Sequence, residues 1–164
     1  MKKNRHALLA GLLLVGCQAM AQTAPASPAP SSQEAPVAGR AGFLKSVTGD
    51  VQIVNAAGAS RQAHSGDPVS TTEQVVTAAG AGAGIVLRDG TTLVVGPSSQ
   101  LDLKQFQFDA TTHDGGLLVS LIRGSMRMIS GLLGKTHPEG VKVETQTATI
   151  GIRGTDFIVT ADGT

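Results

Sequence analysis

The chain has 164 residues, a formal charge of +1, one cysteine, and four aromatic side chains, all phenylalanine. That length supports a single modest core, and the near-neutral balance gives no broad basic face for nucleic acid. One cysteine excludes an intrachain disulfide framework and any CxxC zinc site. The four histidines, His6, His64, His113 and His137, show no i,i+4 pairing that would hold a metal.

Residues 1–21 read as an export signal. "MKKNRH" is a basic leader, and "ALLAGLLLVG" is an apolar run too short to span a bilayer stably, followed by small residues. Two cleavage chemistries fit. "LVGC" resembles a bacterial lipobox, in which Cys17 would be lipidated and become the mature N-terminus, while "AMAQ" offers an Ala-x-Ala site ending at Ala21. Either route puts the remainder of the chain outside the cytoplasm, with Cys17 the only means of holding it to a membrane. Residues 22–41 are a tether rich in Ala, Pro and Ser, holding Pro25, Pro28, Pro30 and Pro36 and too few large apolar side chains to offset the entropy of ordering.

From Gly42 to Thr164 the pattern changes to short apolar or alternating runs punctuated by Gly, Asp, Asn and Pro. They are "FLKSVTGDVQIV", "QVVTA", "GIVLRDGTTLVVG", "LDLKQFQF", "GLLVSLIRGSMRMI", "VKVETQTATIGI" and "DFIVT". These are strand signals, and the fold class is all-β. Asp89-Gly90 predicts a hairpin with a two-residue type I′ turn, and "VTGDV" a weaker turn of the same kind. "AAGAGAG" (78–84) reads as a loop in preference to a close approach of two backbones. "MISGLLGK" is compatible with a short helical turn.

No catalytic, cofactor or metal site assembles from these residues. "GLLGKT" (131–136) lacks the first glycine of a phosphate-binding loop, since that position is Ile129, and reads as a solvated loop. "GPSSQ" (96–100) is not a nucleophile elbow. "DATTHDGG" (109–116) is a polar connection without the ligand spacing of a calcium loop. The stretch "TATIGIRGTDF" places Arg153 between glycines within a strand pattern. Ile150 and Ile152 share one parity, Phe157 and Val159 the other, so an odd number of residues must be absorbed between them. The expectation is a bulge at Arg153-Gly154, with Gly151 giving room and Arg153 bracing Asp156 or Asp102 or contacting a partner. Gly151, Arg153, Gly154 and Thr155 are therefore the candidate structural or partner-binding residues.

"GDPVSTTEQVVTA", "LRDGTTLVVGPSSQLDL", "LIRGSMRMISG" and "VKVETQTATIGIRGTDFIV" resemble, in order, the FecR domain family, from about Gly42 to the end. Its most specific marks are the Gly-Ile-Arg-Gly-Thr segment and the Asp-Gly-x-x-Leu-x-x-Gly-Pro-x-Ser run. The resemblance implies an extracytoplasmic all-β domain of roll or solenoid-like sandwich form, built from short strands and hairpins. The best-known members relay a signal from an outer-membrane transporter to a cytoplasmic sigma factor. That relay needs a cytoplasmic segment for which "MKKNRH" is far too short, so the resemblance implies the domain and not the relay. At "TADGT" an Asp-Gly pair stands where a hairpin would open, and the expectation there is a longer natural chain or an unpaired strand edge. The expected function is a non-enzymatic periplasmic or outer-membrane-anchored module, a lipoprotein if Cys17 is modified, that binds an envelope protein or signals through one, without a cofactor. The alternative is a module for envelope glycan, against which the lack of Trp and Tyr counts.

Overall fold

The computed structural model describes residues 39–152 and 156–163. Within them the chain is all-β. Twelve strands join in one hydrogen-bonded sheet that folds over itself: β1 (Arg40–Thr48), β2 (Val51–Val54), β3 (Ser60–Gln62), β4 (Pro68–Ser70), β5 (Gln74–Thr77), β6 (Gly82–Leu87), β7 (Thr92–Val95), β8 (Gln100–Phe108), β9 (Gly115–Ile129), β10 (Val141–Thr145), β11 (Thr149–Gly151) and β12 (Asp156–Ala161). The short helix α1 (Leu132–Thr136) and a 3₁₀ turn at Pro138–Gly140 lie between β9 and β10.

The fifteen-residue β9 is the spine. Its first half pairs with β8 and, in parallel, with β10; its second half pairs with β7 and β12. The side-chain pattern shows why two halves are needed. Leu117, Val119 and Leu121 are buried at odd positions, then Met126 and Met128 at even ones, so the core-facing side changes parity in between. The change is absorbed at Gly124, whose φ of +86° favours a residue without Cβ. A Cβ there would sit 2.6 Å from Ser99 Cα, with Ser99 Oγ closer still.

Ser99 closes this corner chemically. Its hydroxyl accepts from Ser125 N–H at 2.9 Å, and its own N–H donates to Thr77 Oγ1 at 2.9 Å. The Thr77 hydroxyl in turn donates to Gly96 C=O at 2.6 Å. The "GPSS" run is thus a four-residue excursion between β7 and β8, which both run antiparallel to β9, placed where β9 bends.

The core fills both layers. On one side Leu44, Ile85, Leu93 and Met128 align across β1, β6, β7 and β9, and on the other Ile53, Val75, Leu101 and Leu121 align across β2, β5, β8 and β9; all eight are at most 2% exposed. Each such side chain contributes about 1.5–3 kcal/mol of burial free energy.

Three local expectations are corrected. The Asp89-Gly90 hairpin exists, but Leu87 N–H donates to Thr91 C=O and Gly90 N–H to Leu87 C=O, and only Gly90 has positive φ. This is a three-residue loop with a glycine bulge rather than a two-residue type I′ turn. The cause is Asp89, which is buried and accepts from both Thr91 N–H and Thr91 Oγ1. "VTGDV" does turn, with Gly49 at φ +72°, but β1 and β2 diverge to different neighbours instead of pairing. The glycine-rich stretch splits: Gly82 and Gly84 lie inside β6 rather than in a loop, where a Cβ on Gly84 would meet the Ser46 hydroxyl at 2.6 Å and one on Gly82 the backbone oxygen of Val95 at 3.3 Å. The "MISGLLGK" turn is α1.

Candidate functional site

Of the residues singled out around the Gly-Ile-Arg-Gly-Thr segment, Gly151 ends β11 with open space where a Cβ would be. Arg153, Gly154, Thr155 and Cys17 lie outside the described residues. The expected single bulged strand is not what the flanking residues form. β11 pairs with β10, whereas β12 pairs with β9; the expected bulge at Arg153-Gly154 lies between them, outside the described residues. Of the two isoleucines, Ile152 is buried and Ile150 is exposed. Asp156, an expected partner of Arg153, is held by Arg127. The Arg127 guanidinium donates through Nε to Oδ1 at 2.9 Å and through Nη2 to Oδ2, and the hydrogen bonding holds the Asp156 carboxyl below its ordinary range.

The other candidates resolve into structural roles. In the 109–116 loop the Asp109 carboxylate accepts from Thr111 and Thr112 N–H, which lowers its pKa, and the His113 ring stacks on Phe108. Thr136 Oγ1 donates to Leu132 C=O within α1, not to solvent alone. Thr91 Oγ1 accepts from Gly131 N–H at 3.0 Å, and Asp89 C=O accepts from Leu132 N–H, so the Asp-Gly-Thr loop anchors the start of α1. Among the described residues no group of three His, Cys, Asp or Glu could hold a metal ion, and no helix is long and apolar enough to cross a membrane.

What remains is a difference between sheet edges. Among the described residues, four strands pair on one side only: β3, β4, β11 and β12. Exposed edges are normally blunted by shortness, charge or proline. β3 is three residues centred on Arg61, and β4 is three residues opening with Pro68. These two are also tied together, because Arg61 Nη2 donates to Pro68 C=O at 2.9 Å and pairs with Glu73 at 3.2 Å. β11 is three residues long. β12 is six, has no proline, and carries no charge between Asp156 and Asp162.

The surroundings of β12 are apolar on both faces. Phe157 and Val159 pack against the core, and residues 156–159 of β12 together with Ile150, Gly151 and Ile152 line a cavity of about 310 Å³. Outward, Ile158 is 69% exposed and shares a cross-strand row with Arg127 and Val94; the neighbouring row holds Ile129 and Phe43, both well exposed. Sequence alternation marks β12 as a strand; its pairing with β9 alone, among the described residues, is seen only in the sheet. The cavity between β11 and β12 cannot be read from alternation, because that requires knowing that the two strands enter different layers.

No curated protein matches the chain. A solved structure described as "Cell surface anchoring domain" is 31% identical over 37% of this chain and 80% of that one, with a TM-score of 0.36, too low to bear on fold or function. The profile described as "FecR protein" matches residues 73–164, more than half of the chain, from just before β5 through β12. The chain belongs to the FecR family.

Proposed function

We propose that this chain is a non-enzymatic, envelope-associated module that binds a protein partner by accepting one of its strands on the free edge of β12. The observation that carries this reading is the edge itself: six residues long, unprotected by proline or internal charge, and paired on one side only among the described residues. In an antiparallel ladder alternate residues direct their N–H and C=O groups away from the existing neighbour, and an added strand satisfies them. Family membership supports a binding or signalling role over catalysis, and the export signal read in residues 1–21 supports the cell envelope as the location.

The test is site-specific photocrosslinking in cells, with the probe at Ile158 or Thr160 and a control probe at Arg61 in β3. The expected result is crosslinks from both β12 positions, and not from Arg61, to one extended segment of a single envelope protein. Retention of the protein on purified peptidoglycan or polysaccharide with no β12 crosslink would defeat the reading in favour of glycan binding.

A further inference from the structure

We draw no further inference here: the strongest candidate, the exposed apolar patch of Phe43, Val94, Ile129 and Ile158 on the outer face of β1, β7, β9 and β12, is an unpartnered sheet face, and nothing in the structure shows what covers it.

Discussion

Replacing Gly124 with alanine should cost about 3–6 kcal/mol. Two terms make up this figure. The first is conformational: a residue with Cβ at φ +86° occupies the left-handed region at about 1–2 kcal/mol. The second is steric: the new Cβ would lie 2.6 Å from Ser99 Cα, and backbone cannot swing away as a side-chain end can. Moving Ser99 breaks its hydroxyl's bond from Ser125 N–H and strains its own N–H bond to Thr77, at about 1–3 kcal/mol for each partner left unsatisfied. Gly58 provides the control, since it has φ +81° but open space where its Cβ would go. Gly58→Ala therefore isolates the conformational term. Urea titrations of the two variants of the full chain, with m-values checked for constancy, give the difference directly. A gap of about 2–5 kcal/mol is expected, a large share of a small domain's total of about 5–15 kcal/mol. A gap below about 1 kcal/mol would refute the assignment of Gly124 and Ser99 as the locked corner of β9.

Thr91→Val should destabilise by about 2–5 kcal/mol in the same titration, because it leaves Gly131 N–H and one oxygen of the buried Asp89 carboxylate without their partner. For Asp156 the folded pKa lies below the unfolded value, first through the hydrogen bonds from Arg127 and then through its charge. Its contribution is thus present above the unfolded carboxylate range, near pH 4, and lost as pH falls through the folded value. The stability difference between the parent chain and Asp156→Asn should be flat above about pH 5 and shrink as pH falls below the unfolded carboxylate range, as read from urea midpoints. Mass spectrometry of the mature N-terminus is expected to find a lipidated Cys17; a terminus at Gln22 would discard the lipid anchor and keep export.

The strands with clear alternation were legible in the sequence because one face of each meets a core. β3 and β4 were not: "SRQ" and "PVS" are three residues each, too short for alternation to stand out, and Pro68 reads as a turn. The hairpin at Asp89-Gly90 was legible as a hairpin but not in its loop length, which follows from burying the Asp89 carboxylate against Thr91. The strand placement of Gly82 and Gly84 was hidden because what crowds them, Val95 C=O from β7 and the Ser46 side chain from β1, is in place only once β6 is in register with both neighbours. For the candidate site, parity revealed that something changes between Ile152 and Phe157, but period-two reasoning assumes one strand with one set of neighbours. A signal was available in the triplet Ile122-Arg123-Gly124, which repeats as Ile152-Arg153-Gly154. In the first occurrence β9 crosses between layers at the glycine, and the strands flanking the second lie in different layers too.

The placement of β12 against β9 also decides how the domain answers to a pull. Asp156 at the start of β12 stands in the same cross-strand row as Ile129, Thr92, Val86 and Phe43, three residues into β1 from the point where the chain enters the sheet at Arg40. A strand bound to β12 as proposed and drawn along its axis would load the β12–β9 ladder in shear, with its hydrogen bonds sharing the force. The same strand lifted from its Ala161 end loads them one after another, beginning beside the bend at Gly124. Under the proposed binding mode the attachment would be mechanically directional: firm against sliding, easily peeled, with the weak end set by the kink in β9.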